Sequence, residues 1–414
     1  MLLRACLIFA LLYTICLAGT QGVGAWYARH SAPLGLESAL RWDPANPQYF
    51  DDFGTATHIF ADNGRPDRIL ASYQRATALS PENAFYWSDL GAAYDWAGRP
   101  TDAIAAFHKA QRLYPNAPEI NWRVANFLVR QGKTAEALGS LRKVLLGGSV
   151  SRQEVFALAT TATQDNEQLL AEVIPAENSI LFDYLNFQIA NNDIPAAEEV
   201  WKRITDLNLP FRLPNSFPYL DALIQHREVV QADQAWTWLG ERFPSELKGL
   251  RTERNLVTNG NFEHAILNGG FDWRVLQGKG AVIGLDEENA FEGMSSLRID
   301  FDSTENLYFY HVFQYIRVRP QTRYRFSGYI RVKDVTTDSG PLFEIYDPYD
   351  MKALFISGKS VVGTADWSLQ QLPFTTGRDT KLIVLRVGRH PSEKIANRIG
   401  GTTWIDKITV EPAD

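Results

Sequence analysis

The chain is almost without cysteine: among its 414 residues only Cys6 and Cys16 occur, both in the first apolar segment. Everything beyond them therefore lacks thiols, disulfides and cysteine metal ligands. The seven histidines (His30, His58, His108, His226, His264, His311 and His390) are scattered, with no pair at metal-ligand spacing and no H-E-x-x-H. Nor is there a G-x-S-x-G, a Walker loop or a Rossmann glycine fingerprint, so the familiar signatures of hydrolase and nucleotide chemistry are missing. Positive charge is not in excess: 41 Lys and Arg against 48 Asp and Glu leave a net charge of −7, which gives no general electrostatic reason to bind nucleic acid. Disorder is excluded by an ordinary balance of 45% hydrophobic and 21% charged residues, and the length accommodates two or three domains.

What is present begins with an uncharged apolar run from Ala5 to Gly19, extended by uncharged residues to Ala28. About twenty such residues cross a bilayer core, and Trp26 and Tyr27 suit its far interface. Residues 1–30 therefore read as a membrane anchor or as a signal peptide, the latter with Val23-Gly24-Ala25 as a small-residue cleavage site. Arg4 and the amino terminus favour an N-inside orientation and Arg29 opposes it. The expectation is a single-pass cell-membrane protein of a bacterial envelope, its soluble domains periplasmic or otherwise extracytoplasmic.

Phe85 to Asn116 holds the strongest pattern. Trp87, Leu90, Gly91 and Tyr94 recur at helical spacing, Gly98-Arg99-Pro100 interrupts, Ala103, Phe107 and Ala110 resume, and Pro115 closes the unit. Small residues let two helices approach and large ones fill the gap. The unit resembles a tetratricopeptide repeat, matching W-x2-L-G-x2-Y…A-x3-F…A…P. Upstream, Gly64, Tyr73, Ala76 and Pro81 parallel Gly98, Phe107, Ala110 and Pro115, each 34 residues on. Gly54 parallels Gly91. Downstream, Val124, Ala125, Leu128, Gly132, Ala137, Leu141 and Val144 repeat the pattern. Residues 31–148 thus read as tetratricopeptide repeats, with Leu36, Ala39 and Leu40 as a capping helix. Residues 149–250 read as degenerate helical repeats, in which Asn192 replaces the turn glycine. The resemblance implies a groove for a protein partner, and Asp51, Asp52, Asp89, Asp95, Asn121, Arg123 and Asn126 lie between the core positions. They form either that groove or a solvated helix face.

From Asn255 the period becomes alternating. LRIDF, FQYIRVR, YRFSGYIRV, LFEIYD, LQQLPFTT, KLIVLRVG and TWIDKITVEP read as short strands, so residues 251–414 form an antiparallel β-sandwich. The opening Asn255-Leu256-Val257-Thr258-Asn259-Gly260-Asn261-Phe262-Glu263, then Gly270 to Trp273, Gly293 to Leu297, Pro320 to Tyr324 and the closing Trp404 to Ile408 resemble galactose-binding-like jelly rolls of carbohydrate-binding modules. Gln321 stands where those modules carry glycine, and Lys407 replaces a second aspartate. The resemblance implies one structural calcium shared by Glu263 and Asp406, whose hard oxygens suit that ion.

Alternation within the strands places Tyr315, Arg317, Tyr329, Arg331, Glu344 and Tyr346 outward. Such a face either stacks and hydrogen-bonds a glycan or packs against the helical domain or a partner. Trp273, Trp367 and Trp404 read as core. Glu344, Asp347 and Asp350 are the densest carboxylates of the sandwich, suited either to glycosidase chemistry or to shaping a loop. The fold class is multidomain α plus β: a membrane helix, an α-solenoid and a jelly roll. The expected function is a non-enzymatic, membrane-anchored adaptor that binds protein through its repeats and polysaccharide through its sandwich, in envelope polysaccharide assembly or export. The alternatives are a purely protein–protein adaptor and a glycan-acting enzyme.

Overall fold

A computed structural model describes residues 2–29, 34–60, 66–250, 254–395 and 397–413, with backbone alone for 2–9 and 60. The chain divides into two compact units: 1–191 with 195–209, and 192–194 with 210–414.

The first unit is helical. It runs through α1 (Leu2–Ala28), α2 (Leu34–Trp42), α3 (Pro47–Phe60), α4 (Pro66–Leu79), α5 (Ala84–Trp96), α6 (Pro100–Leu113), α7 (Pro118–Arg130), α8 (Thr134–Gly147), α9 (Arg152–Ala162), α10 (Asn166–Glu172), α11 (Asn178–Ala190) and α12 (Ile194–Leu207). Sequence chemistry sets the boundaries. Asn83 caps α5 by accepting the Phe85 amide at 3.0 Å. Pro100 and Pro118 open α6 and α7, where a missing N–H costs nothing. Gly98 leaves α5 in the left-handed region at φ +70°. Asn192, the expected substitute for a turn glycine, takes φ +62°.

The repeat positions do what their sizes require. A Cβ on Gly91 would lie 2.8 Å from the Phe107 ring, and one on Gly54 would lie 2.8 Å from the Tyr73 ring. Leu90, Ala103, Phe107 and Ala110 are buried, while Trp87 and Tyr94 pack half-buried at the edge of the same core. Trp87 Nε1 donates to Pro81 O at 2.8 Å, and Pro115 O accepts from Asn121 Nδ2 at 3.0 Å. The turn residue Gly64 lies outside the described residues.

Residues 2–28 form one helix, but the side chains of 2–9, including Arg4, Cys6 and the start of the apolar run, lie outside the described residues. Among the described residues no helix is long and apolar enough to cross a membrane.

The second unit begins with α13 (Phe217–Gln225), α14 (Val229–Arg242) and α15 (Pro244–Leu247), so these helices share a compact unit with the strands. The strands are β1 (Arg274–Val275), β2 (Ala281–Asp286), β3 (Ser296–Asp302), β4 (Phe309–Arg317), β5 (Arg323–Val335), β6 (Leu342–Tyr346), β7 (Phe355–Ser357), β8 (Gly363–Thr375), β9 (Leu382–Arg389) and β10 (Gly400–Pro412). They make two five-stranded sheets, ordered β1-β4-β9-β6-β7 (sheet A) and β2-β3-β10-β5-β8 (sheet B). Every pairing is antiparallel. Their inner faces enclose one core that includes Trp273, Phe262, Phe326, Phe343, Ile299 and Ile405.

The opening motif is fastened to the last strand. Asn255 Nδ2 donates to Ile408 O at 2.9 Å, while Asn255 Oδ1 accepts from Val410 N at 3.0 Å. A Cβ on Gly260 would lie 2.2 Å from Ile408 O, so only glycine fits there. Gln321 adopts φ +48°, a left-handed conformation that glycine takes without strain.

Candidate functional site

Register brings the site residues together on the outer face of sheet A. Phe313 on β4 lies opposite Arg386 on β9, which lies opposite Glu344 on β6. Two residues along, Tyr315, Val384 and Tyr346 form the next row, which ends at Phe355 on β7. Side chains two apart on a strand share a face, so the rows stand side by side. A cleft of about 330 Å³ opens on Phe313, Arg386, Tyr315, Val384 and Tyr346 of these rows, lined also by Leu276, Tyr310 and Pro348.

Charge in the cleft is fixed and neutralised. Glu344 is fully buried, its Oε2 accepting from Arg386 Nε at 2.5 Å and its Oε1 lying 2.8 Å from His390 Nε2. Arg386 also lies 5.0 Å from the Tyr346 ring centre and donates to Tyr308 Oη at 3.1 Å. Burial opposes the Arg386 charge, yet the Glu344 carboxylate holds its pKa above the usual value. The Tyr315 and Tyr346 hydroxyls are raised, chiefly by burial, and remain neutral donors. Arg274 spans the edge of the face, 5.2 Å from the Tyr315 ring centre and paired with Asp221 of α13.

The six expected glycan residues do not share one face. Tyr315 and Tyr346 line the sheet A cleft, while Glu344 is fully buried and acts on the cleft only as the partner of Arg386. Arg317 is drawn to Asp233 of α14. Tyr329 and Arg331 lie on β5 in sheet B, across the core. There Tyr329 stacks on Phe291 at 3.6 Å, and Arg331 lies 5.3 Å from the Trp404 ring centre. Alternation along a strand separates inside from outside but does not say which sheet the strand joins. Trp273 is fully buried in the core, whereas Trp404 is buried beneath Arg298 and Arg331, with its Nε1 donating to Asp286 at 2.7 Å. Trp367 is partly exposed.

Tyr308, Tyr310, Phe313 and Arg386 were not singled out by sequence reasoning. One signal was available: Arg386 is the only charge inside the run Leu382 to Gly388, and a charge in a strand buried on both faces needs a partner.

Glu263 and Asp406 meet at one loop. Glu263 Oε1 accepts from Met294 N at 2.7 Å and Ser295 N at 3.2 Å. Asp406 Oδ2 accepts from Phe291 N at 2.8 Å and Glu292 N at 3.0 Å. Burial and the Glu263 charge raise the Asp406 pKa against these amides. Lys407 pairs with Glu292 at 2.5 Å instead of with either carboxylate. Glu263 Oε2 receives no hydrogen bond from the described residues. Two adjacent carboxylates are oxygen donors of the kind calcium takes. Among the described residues no three His, Cys, Asp or Glu side chains gather to hold a metal.

In the helical unit, Arg123 pairs with Asp89, and Arg130 with Asp95 at 2.5 Å, one repeat back. Trp96, Trp122 and Asn126 join Asp95, Arg123 and Arg130 around a cleft of about 510 Å³. Asp51 is buried, and burial together with the Asp89 and Asp52 charges raises its pKa to about 7. Asn121 is not on this surface: it is fully buried, with Nδ2 donating to Pro115 O and Ala117 O.

Residues 58–118 and 97–149 match the tetratricopeptide repeat family. No curated protein matches the chain. Among solved structures, TmCBM61 in complex with β-1,4-galactotriose is 17% identical, covering 39% of this chain and 100% of its own at a TM-score of 0.29. A family 16 carbohydrate binding module is 20% identical over 38% of this chain and 99% of its own, at a TM-score of 0.27. The MamA protein is 14% identical over 48% of this chain and 98% of its own, at 0.32. The chain is similar to tetratricopeptide repeat proteins in its helices and to carbohydrate-binding modules in its sandwich.

Proposed function

We propose that this protein is a non-enzymatic adaptor that holds a neutral glycan in the sheet A cleft and a protein partner on its repeats. The observation that carries the glycan reading is the row of Phe313, Arg386 and Glu344 beside that of Tyr315 and Tyr346. Aromatic rings edged by fixed polar groups suit the mixed C–H and hydroxyl surface of a pyranose. Because Glu344 neutralises Arg386, the cleft favours an uncharged sugar over an acidic one.

The carboxylates support a binding role over catalysis. Glu344 is enclosed and ion-paired, and Asp347 is committed to Thr380 Oγ1 at 2.6 Å and to the Tyr349 and Asp350 amides. Neither is placed to move a proton at a substrate. Glu263 and Asp406 would hold a structural calcium that ties the loop Phe291–Ser295 to the last strand.

Envelope location and a part in polysaccharide assembly or export belong to the same reading. Attachment to a membrane through α1 is supported by exposed Leu11, Leu12, Ile15 and Leu17. The repeat cleft between α5 and α7 is the proposed site of the protein partner.

The test is calorimetric titration of the full chain with neutral β-1,4-linked oligosaccharides, β-1,4-galactotriose first, alongside Tyr346→Ala and Tyr315→Ala. Binding that each variant weakens by about tenfold or more supports the reading. Binding indifferent to both variants sinks it.

A further inference from the structure

The sandwich unit contains a second and larger cavity, of about 570 Å³, beside the aromatic cleft. Three loops wall it: the turn between α13 and α14 with Arg227, the β6–β7 loop with Tyr349 and Asp350, and the β8–β9 loop with Arg378, Asp379 and Lys381. The β6–β7 loop is the shared wall of both openings. Pro348 lines the cleft, while Asp347 and Tyr349 on either side of it line the cavity.

That wall is fixed. Asp347 accepts from the Tyr349 amide at 2.8 Å, the Asp350 amide at 3.2 Å and Thr380 Oγ1 at 2.6 Å. Tyr349 Oη donates to Ile224 O at 2.5 Å, and Arg227 lies 5.1 Å from the Tyr349 ring centre. A loop pinned from both sides is pre-organised, so a ligand need not order it.

The charges around the cavity are of both signs and without ion pairs: Arg227 lies over the Tyr349 ring, and Asp350 accepts from the Lys352 amide at 3.0 Å. Arg227, Arg378 and Lys381 form no ion pair among the described residues, and neither do Asp350 and Asp379. An anion or a cation would meet the wrong sign from about half of them. A sugar hydroxyl both donates and accepts, so one hydroxyl serves a carboxylate and the next a guanidinium or ammonium. The mixed charges therefore suit a neutral polyhydroxyl ligand.

We propose that this cavity is a second sugar subsite, which takes further units of the glycan held in the sheet A cleft. The protein then recognises an extended chain and not a single terminal sugar. The inference rests on the glycan reading of the cleft. It adds to it a contribution from Arg227, a residue of the helical segment and not of the strands.

The experiment compares the full chain with Arg378→Ala, Asp379→Ala and Lys381→Ala, each checked for unchanged thermal unfolding. Affinities are measured by calorimetry for β-1,4-galacto-oligosaccharides and xylo-oligosaccharides from disaccharide to octasaccharide. The expected result is an affinity that rises about tenfold with chain length in the parent. The variants should lose that rise while still binding the disaccharide like the parent. A parent that binds long and short chains equally, or variants that keep the rise, would overturn the subsite and leave the cleft standing. Absence of binding for every length in the parent overturns the cleft reading and the subsite with it.

Discussion

Glu344 and Arg386 face each other across β6 and β9 as a buried ion pair, 2.5 Å between Oε2 and Nε, with Arg386 lining the aromatic cleft. Removing Arg386 leaves the buried Glu344 carboxylate with His390 Nε2 at 2.8 Å as its remaining side-chain partner among the described residues, and breaking a buried pair costs up to about 3–5 kcal/mol. Arg386→Ala should therefore lower stability in urea by roughly that amount and abolish glycan binding. Glu344→Gln keeps the shape and leaves Arg386 charged, so it should also destabilise, by less. A loss under about 1 kcal/mol for Arg386→Ala would mean that the pair contributes little.

Gly91 and Gly139 both lie in helices of the repeat unit, yet the same substitution should act with opposite sign. A Cβ at Gly91 would meet the Phe107 ring at 2.8 Å, whereas one at Gly139 meets nothing within 4 Å. Gly91→Ala forces that ring aside and should destabilise by about 1–3 kcal/mol. Gly139→Ala only removes backbone freedom from the unfolded chain and should stabilise by about 0.5–1 kcal/mol. Thermal unfolding of the two variants decides this: equal shifts in one direction contradict the packing assignment.

Asp51 sets a pH dependence. Its pKa lies near 7 when folded, against an ordinary value of 3.8, because it is buried and faces Asp89 and Asp52, with Arg123 opposing them. Between those values the folded chain keeps a proton that the unfolded chain releases, so this group's contribution to stability declines as pH rises through that window. Asp51→Asn mimics the protonated carboxyl. Its stabilising effect should be absent near pH 4, grow up to about pH 7 and then stay level. A benefit that is constant with pH would assign the effect to something other than ionisation.

The parts of this fold that were legible in sequence are those where size or dihedral angle leaves no choice. Gly91 opposite Phe107, Gly98 at positive φ and the Asn255-to-Glu263 strap each leave a residue-level mark. So do the long strands, but the two-residue β1 and three-residue β7 are too short for alternation to register. The site was half legible. Period-2 patterning placed Tyr315 and Tyr346 outward, but Tyr329 shares that pattern and belongs to the other sheet, because strand order is set by crossovers between distant segments. Arg386 lay hidden because β9 is buried on both faces and shows no alternation at all.

Calcium gives the last test. Glu263 and Asp406 hold the two ends of the loop Phe291–Ser295 through backbone amides, and Gly293 turns between them at φ +79°. A cation accepted between these carboxylates would relieve their mutual repulsion and fasten the loop to β10, stabilising the folded state in proportion to its occupancy. At a calcium concentration about a hundred times its dissociation constant, the gain is about 2.7 kcal/mol. The thermal midpoint should therefore rise with added calcium and fall with chelator, and Asp406→Asn should remove the response. Glu263→Gln should remove it likewise, since each substitution takes one carboxylate charge from the site while a neutral oxygen still accepts from the loop amides. A midpoint that ignores both calcium and chelator would show that the amides alone hold this loop.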